Sequence, residues 1–348
     1  MRGVLIDEAR ALWEPEGVYL NTASFGLPPR PAWEALQAAL ADWRGGRTSW
    51  EGWDRKADEA RGGFARILGV PSEHVATGPT ASNLVGLVAA SLPAGSRVVS
   101  TTREFTSALW PFLAQAERGV EVACVEQERL PEAIAMGVDA VAFSAVASSD
   151  GHVADLDAIA AAARAAGALT VVDATQACGW LPLEGSMFDA VICHAYKWLV
   201  SPRGTAFMYV RPELAERLVP SAAGWHAAED PYGAFYGPPL RLAPDASRFD
   251  VSPAWFSWVG TAPALELLLE IGVERIHEHD VRLANRFREG IGLEPSNSAI
   301  VSAELPGVEE RLAGTEVMAA ARAGGLRTSW HLYNTDEDVD RVLELLGR

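Results

Sequence analysis

The sequence predicts an α/β protein with a large domain built on a mostly parallel sheet and a smaller α+β domain. The middle of the 348-residue chain alternates short Val- and Ala-rich runs with helical stretches. This pattern is typical of parallel strands that are covered by helices on both faces. Hydrophobic residues make up 49% of the chain, which suffices for a large core.

The apolar runs of the middle region predict its strands. They lie at 96–105, 120–126, 139–147, 168–174, 189–195 and 205–210. The stretch LDAIAAAARAAG (156–167) predicts a helix between two of these strands. Residues 214–255 are rich in Pro, Gly and aromatic side chains and predict an irregular segment.

The remaining C-terminal part predicts the smaller domain. Its expected elements are one or two helices after residue 260, a strand at 298–305, a helix at 314–325 that ends on glycine, a strand from Leu326, and a last helix capped by Thr335. We expect the large domain to comprise residues 30–255. The small domain would comprise residues 1–29 together with 256–348.

Composition and charge exclude several classes of partner. The formal net charge is −17 and there is no basic tract, which disfavours nucleic acid and acidic membranes as partners. No apolar run reaches the length of a membrane span, and the acidic start has no signal-peptide character. Cys124, Cys178 and Cys193 show no paired spacing. We therefore expect a cytoplasmic protein that acts on a small molecule.

Lysine usage singles out one residue. The chain contains 29 Lys and Arg residues, and only Lys56 and Lys197 are lysine. Lys197 lies in the apolar stretch HAYKWLV, and desolvation in such a setting favours a neutral, nucleophilic amine. The alternative is a lysine that extends its charged end into water from a strand end. Because arginine would serve that role equally well, the use of lysine favours a nucleophilic amine over a solvated charge.

Two charged residues end neighbouring apolar runs. Asp173 ends ALTVVDA, and Lys197 follows the next run along the chain. Parallel sheets bind ligands at the carboxyl ends of their strands, so we expect both residues at one edge. A lysine that forms a Schiff base and a carboxylate on the pyridinium nitrogen are what pyridoxal phosphate requires. Gln176 could then hydrogen-bond the ring hydroxyl. Asp173 could instead cap the segment that follows it.

A small polar turn could hold the cofactor's phosphate. VATGPTASNLVG (75–86) opens an apolar helix, and helix N-termini bind phosphate through their free N–H groups. Gly78, Pro79 and Thr80 are the candidates, since proline is tolerated in a first turn. An ordinary capped helix is the alternative. Phe105 could stack on the pyridine ring or belong to the core.

These motifs resemble the class V aminotransferase family of pyridoxal-phosphate enzymes, which includes cysteine desulfurases, kynureninases and isopenicillin N epimerase-like proteins. TGPTASNLVG resembles the family's phosphate turn, DATQ its cofactor-binding acid and amide, and HAYKWLVSPRGTAF its Schiff-base lysine motif. The resemblance covers nearly the whole chain. It implies pyridoxal 5′-phosphate as cofactor and the fold-type I architecture of aspartate aminotransferase.

The same resemblance implies further cofactor contacts. His194 and Tyr196 would reach the phosphate, with His194 standing where many relatives have serine. Trp225 in GWHA and Ser252 in RFDVSP lie in segments from which a partner subunit reaches the phosphate. The resemblance therefore implies a homodimer with cofactor contacts across the interface.

The substrate side is also implied by the resemblance. Arg327, in LRTSWHLYNTDEDVDRV, would hold the substrate's α-carboxylate through its guanidinium fork, and a surface salt bridge is the alternative. Asn21 and Ser24, in GVYLNTASFGLPPR, would lie on the substrate side of the site.

The expected function is that of an enzyme acting on an α-amino acid or analogue, in which Lys197 moves the Cα proton. Transamination or β-elimination is favoured, and epimerisation of the isopenicillin N epimerase type is the alternative. A catalytically degenerate interaction protein is the alternative from a different class. Desulfuration is disfavoured because the predicted helix 314–325 leaves no loop before Arg327 and no cysteine lies beyond Cys193. No metal site is expected.

Overall fold

A seven-stranded sheet forms the centre of the computed structural model, which describes residues 5–322 and 325–348. In chain order the strands are β1 (Val18–Tyr19), β2 (Val75–Gly78), β3 (Arg97–Thr101), β4 (Glu121–Val125), β5 (Ala140–Ser144), β6 (Leu169–Asp173), β7 (Ala190–His194), β8 (Ala206–Val210), β9 (Ile300–Ala303), β10 (Val317–Met318), β11 (Ala320–Arg322) and β12 (Gly325–Ser329).

The helices surround this sheet and build the C-terminal part. They are α1 (Ile6–Arg10), α2 (Arg30–Arg44), α3 (Trp50–Leu68), α4 (Ala81–Ser91), α5 (Thr106–Leu113), α6 (Leu130–Ala135), α7 (Leu156–Ala166), α8 (Pro212–Ala215), α9 (Trp255–Ile271), α10 (Val273–Gly290), α11 (Val308–Leu312) and α12 (Asp336–Leu345). The predicted irregular segment 214–255 contains short turns between α8 and α9.

The central sheet is mostly parallel, as predicted. Its strand order is β2-β8-β7-β6-β5-β3-β4. Only β8 among these strands runs antiparallel to its neighbours, β2 and β7. Helices α4, α5, α6 and α7 connect successive parallel strands, as parallel pairing requires. The strands β5, β7 and β8 are buried along their whole length, which explains their continuous apolar sequences.

The six strands predicted in the middle region are present but shorter than expected. The run 96–105, for example, is a strand only over Arg97–Thr101, and its last residues turn into α5. Helix α7 occupies the predicted place. The side chain of Asp155 accepts a hydrogen bond from the backbone N–H of Ala158 at 3.0 Å, and Gly167 ends the helix with φ +68°.

The C-terminal part contains a second, antiparallel sheet with the order β11-β12-β9. Helices α10 and α12 pack beside it, and a separate apolar cluster joins them to the N-terminal strand β1. The members of this cluster come from residues 18–20 and 283–346, both within the predicted small domain. The domain boundaries themselves stay a prediction.

The predicted helix at 314–325 is wrong. Val317–Met318 pairs in parallel with β1, and Ala320–Arg322 pairs antiparallel with β12. Residues 323–324 of the predicted helix lie outside the described residues. The alanine-rich run favours a helix locally, but hydrogen bonding to two neighbouring strands overrides that preference. Sequence analysis disfavoured desulfuration partly because a helix at 314–325 would leave no loop before Arg327, and that reason therefore fails. The absence of a cysteine beyond Cys193 is the remaining reason to disfavour desulfuration.

Within residues 5–322 and 325–348, no single helix has both the length and the hydropathy to cross a membrane. The strongly bent pair α9 and α10 meets those criteria only when the two helices are taken together.

Candidate active site

A cavity of about 200 Å³ lies at the carboxyl edge of the central sheet. It is bounded by the ends of β5, β6 and β7, the start of α4 and the turn before α5. Its lining residues are Thr80, Ala81, Ser82, Phe105, Thr106, Ser107, Ser144, Ser148, Asp173, Thr175, Gln176, His194, Tyr196, Lys197 and Arg203. The cavity therefore lies where an open parallel sheet is expected to bind a ligand.

Lys197 is a buried cavity residue and not a lysine that extends into solvent. It lies in the turn after β7, is 5% exposed, and has its Nζ 5.4 Å from the ring centroid of Phe105. The Tyr196 ring centroid lies 5.8 Å from the same nitrogen. The alternative of a solvated lysine is thus excluded, and a buried amine faces the cavity.

The turn that carries Lys197 is held tightly. A Cβ on Gly26 would lie 1.9 Å from the Lys197 carbonyl oxygen, so only glycine permits this close approach. Gly26 also donates its N–H to the Tyr196 carbonyl at 2.9 Å. Val200 has φ +46°, a strained conformation for a β-branched residue. Such strain is typical of a backbone that must place a functional side chain.

Asp173 lies at the end of β6 and lines the same cavity as Lys197. It is 5% exposed, and one carboxylate oxygen accepts a hydrogen bond from the Thr175 N–H at 2.8 Å. Asp173 therefore caps the segment that follows it and also lines the cavity. The capping interpretation is confirmed, and the role as a cofactor ligand stays a prediction. Lys197 and Asp173 lie on the same edge of the sheet and on the same cavity.

Gln176 joins the cavity to the N-terminal segment. Its Nε2 donates to the Ala23 carbonyl at 2.9 Å and to Ser148 Oγ at 3.1 Å, and its Oε1 accepts from Trp198 Nε1 at 2.8 Å. The side-chain amide is thus fixed in one orientation. A ligand that bonds Gln176 would compete with one of these protein partners.

His194 is the last residue of β7 and lines the cavity. Burial, followed by the charges of Arg203 and Lys197, lowers the pKa of His194 to about 4. The ring is therefore neutral near pH 7, and its Nε2 is a buried atom without a hydrogen-bond partner in the described part of the chain. Tyr196 packs edge-on against this ring with centroids 4.4 Å apart.

The predicted phosphate turn lies partly at this cavity. Thr80 is the N-cap of α4, and its Oγ1 accepts the N–H of Asn83 at 3.2 Å. Thr80 and the neighbouring Ser82 line the cavity. Gly78 ends β2, and neither Gly78 nor Pro79 lines it. Ser82 was missed by the sequence analysis, although it lies in the motif TGPTASNLVG.

Arg203 was also missed. It lines the cavity, and its guanidinium carbon lies 4.9 Å from the Tyr196 ring centroid. The residue belongs to the motif HAYKWLVSPRGTAF, six positions after Lys197, and a cation in that motif was a signal that could have been used. Arg203 and Lys197 make this end of the cavity electropositive, which suits an anionic group.

Of the predicted substrate residues, Arg327 bonds both Ser148, which lines the cavity, and the predicted Ser24. Arg327 is 1% exposed and donates from Nη1 to the Ser148 carbonyl and from Nη2 to Ser24 Oγ at 2.8 Å. The alternative of a surface salt bridge is therefore wrong. Asn21 forms a bridge with Ser329, and its buried Oδ1 has no hydrogen-bond partner in the described residues.

Trp225 and Ser252 are not brought to this cavity within one chain. Trp225 packs against Trp50 and Phe235, with centroids 5.9 Å and 5.6 Å away, and Ser252 is exposed. Their expected contact with the cofactor of a partner subunit stays a prediction.

Comparison with known proteins identifies the family. The Aminotransferase class-V pattern matches residues 18–316, so the chain belongs to this family. It is 29% identical over 321 residues to the uncharacterized aminotransferase YcbU of Bacillus subtilis (strain 168), covering 85% of each chain. It is 29% identical over 394 residues to isopenicillin N epimerase of Streptomyces clavuligerus, covering 97% of this chain and 96% of that protein.

A solved structure confirms the fold. The apo cysteine desulfurase of Thermococcus onnurineus NA1 superposes with a TM-score of 0.82 at 23% identity, covering 95% of this chain and 94% of that one. The fold type implied by the sequence resemblance is thus confirmed.

Members of this family are pyridoxal-phosphate enzymes, and the cavity fits that cofactor. It brings the buried amine of Lys197, the buried carboxylate of Asp173 and the guanidinium of Arg203 to one small space. The buried Nε2 of His194, which has no hydrogen-bond partner among the described residues, is a further group that a ligand would satisfy.

Proposed function

We propose that the protein acts on an α-amino acid or a close analogue, and that Lys197 and Asp173 carry the chemistry. The observation on which this depends is that both side chains are buried and line a single cavity at the carboxyl edge of the sheet. A lysine for the cofactor's aldehyde and a carboxylate for its ring nitrogen are the two groups that this chemistry requires.

The remaining cavity residues have roles that follow from their chemistry. Phe105 would pack on the ring face and Gln176 would hydrogen-bond the ring hydroxyl. The start of α4, with Thr80 and Ser82, supplies N–H and hydroxyl donors suited to a phosphate. Gly78 and Pro79 precede Thr80 and would shape the backbone of this turn without lining the cavity. His194, Tyr196 and Arg203 would complete the anion-binding side.

Proton transfer is the task of Lys197. Bound pyridoxal phosphate supplies an electron sink for the negative charge that develops at the substrate Cα. The Lys197 amine is the basic group positioned to take and return the Cα proton. Arg327 would hold the substrate carboxylate near Ser148 and Ser24, with Asn21 beside it, so that the Cα–H bond is oriented toward the lysine.

The reaction type depends on where the proton returns, or on whether a β-substituent of the substrate leaves instead. We favour transamination or β-elimination, in keeping with the sequence analysis. Epimerisation is the second candidate, and the similarity to isopenicillin N epimerase along 97% of this chain supports it. Desulfuration through an enzyme persulfide is disfavoured because no cysteine lies beyond Cys193.

A homodimer is the second part of this proposal. Trp225 packs on Phe235, which packs on Tyr236; Phe235 and Tyr236 are 47% and 96% exposed, and such exposed aromatic residues mark protein interaction surfaces. Trp225 and Ser252 would then reach the cofactor of the partner subunit.

The two lysines of the chain allow a matched test of the proposed chemistry. Purified protein is incubated with pyridoxal phosphate, reduced with borohydride and digested for peptide mass spectrometry. We expect the cofactor's mass on the peptide that contains Lys197 and a visible absorbance band before reduction. Lys197→Ala should abolish both the covalent adduct and turnover. Lys56→Ala is the control, because Lys56 forms a surface ion pair with Glu59 at 2.6 Å.

Turnover is then followed with a panel of amino acids, measuring keto acid, ammonia, sulfide, and exchange of the α-proton with solvent deuterium. A protein that stays colourless with pyridoxal phosphate would support the degenerate interaction protein. Persulfide-dependent sulfide release would contradict the exclusion of desulfuration.

A further inference from the structure

Glu104 is a carboxylate next to the cavity that the proposed chemistry does not use. It lies in the turn between β3 and α5, directly before Phe105. Its side chain turns back toward the end of β5 and is partly buried there. Burying a carboxylate costs free energy unless it is hydrogen-bonded, so its position needs a reason.

Four hydrogen bonds hold the Glu104 carboxylate. Oε1 accepts from the Phe105 N–H at 2.9 Å and from the Ser144 hydroxyl. Oε2 accepts from the Ser144 N–H at 2.8 Å and from Thr101 Oγ1 at 3.2 Å. Each oxygen thus faces a backbone N–H, which can only donate. The ionised carboxylate satisfies all four groups.

These contacts connect two walls of the cavity. Phe105 begins α5, and Ser144 ends β5, where it is paired in register with Asp173 of β6. One carboxylate therefore fixes the backbone that presents the ring of Phe105 and the strand end next to Asp173. No other described side chain bonds both Phe105 and Ser144 in the structure.

The charge of Glu104 also acts at the same end of the cavity. Burial and the nearby Asp173 carboxylate raise the pKa of Glu104, while the bonds from Ser144 and Phe105 oppose that rise. The charged groups that line the cavity are Asp173 on β6, Lys197 after β7 and Arg203 before β8, and Glu104 after β3 interacts with Asp173 without being a lining residue. Two carboxylates close together favour a cation between or beside them.

We propose that Glu104 is a positioning residue that fixes Phe105 and Ser144 and adds a second negative charge at the Asp173 end of the cavity. This inference rests on the proposed function, because the charge matters for catalysis only if a ring nitrogen faces Asp173. The second carboxylate then helps to keep that nitrogen protonated, which is the state that withdraws electrons from the substrate.

The test reads the protonation state directly. The full-length protein is loaded with pyridoxal phosphate labelled with ¹⁵N in the ring, and the ¹⁵N resonance is recorded at one fixed pH. Asp173→Asn supplies the reference for a lost ring proton. In Glu104→Gln we expect the resonance to move from the wild-type value toward that reference. Glu126→Gln is the matched control, because Glu126 is exposed and accepts a hydrogen bond from Thr102 at 2.9 Å.

Each outcome decides between the two proposals. A folded, cofactor-loaded Glu104→Gln variant with the wild-type resonance would overturn the role of Glu104 alone. If Asp173→Asn also keeps the wild-type resonance, the proposed function itself fails. Should Glu104→Gln not fold, Glu104→Ala removes the charge without placing an amide against the Phe105 N–H, and the same shift is expected.

Discussion

At the scale of single residues, the site depends on ionisable groups that the fold removes from water. Lys197 and Asp173 are each 5% exposed, and His194 closes the same cavity. In such a place the cost of desolvation competes with nearby charges, and the balance sets which groups are ionised. His194 is the residue for which this balance has a measurable consequence for stability.

We predict that His194 makes the stability of the cofactor-free protein depend on pH. Burial and neighbouring cations lower its pKa to about 4 in the folded state, whereas an unfolded histidine titrates at about 6.5. The unfolded chain therefore binds the proton more readily between these values. The free energy of unfolding should fall as the pH drops from about 6.5 to about 4.

Urea denaturation of wild type and His194→Asn at pH 7 and pH 5 measures this effect. The variant should lose less stability than the wild type between the two values. His152→Gln is the control, because the His152 side chain is 47% exposed beside Glu128. An identical pH dependence in wild type and His194→Asn would contradict the prediction.

At the scale of elements, short local signals set the ends of helices and strands, and those ends carry the site. Asp173 ends β6 and His194 ends β7, and the pairing of Asp173 with Ile192 places the end of β7 two residues beyond the end of β6 at the same edge of the sheet. Helix α12 shows the same principle away from the site. Thr335 and Asp338 form a reciprocal capping box, and Val339 and Val342 bury one face of the helix.

We predict that Thr335→Ala destabilises the protein by about 1 kcal/mol, the usual cost of losing an N-cap side chain. The hydroxyl of Thr335 accepts the Asp338 N–H at 3.2 Å, and alanine cannot replace it. Thr335→Ser keeps the hydroxyl and should stay near the wild-type stability. Equilibrium unfolding of both variants tests this, and equal losses would show that the methyl group, and not the cap, stabilises the helix.

At the scale of the whole molecule, Arg327 connects three distant parts of the chain. It belongs to β12 of the C-terminal sheet and bonds Ser148, which lines the cavity, and Ser24 near the N-terminus. Each of these segments comes from a different part of the sequence. The substrate side of the site therefore exists only when the two sheets and the N-terminal segment are assembled.

We predict that Arg327→Lys raises the KM for an amino-acid substrate roughly ten- to hundredfold. Lysine cannot form the two parallel bonds that a guanidinium makes with a carboxylate, and a bond to a charged group contributes about 1.5–3 kcal/mol. The visible band of bound cofactor should be retained, which separates lost substrate binding from a damaged site. Arg341→Lys, at a surface pair with Glu316, is the control. An unchanged KM in Arg327→Lys would rule out the carboxylate role.

The sequence could predict the large sheet and most of the cofactor side because the signals there are local. Buried parallel strands need continuous apolar residues, and a charged residue at the end of such a run is visible in one dimension. Lys197 and Asp173 were found in this way and Thr80 from the polar turn that opens a helix, and the structure brings the three to one cavity. The helix expected at 314–325 was wrong because alanine content favours a helix only locally. Val317–Met318 and Ala320–Arg322 instead form strands that pair with β1 and β12.

By itself the sequence determined the α/β class, the parallel strands, the helix α7, the capped helix α12 and the lysine with a chemically reactive setting. Only the tertiary structure decided that Arg327 is buried against Ser148 and Ser24, that His194 is neutral, and that Glu104 holds Phe105 and Ser144 together. The physical reason is that burial, hydrogen bonding and electrostatic interaction depend on distances between residues that are far apart along the chain.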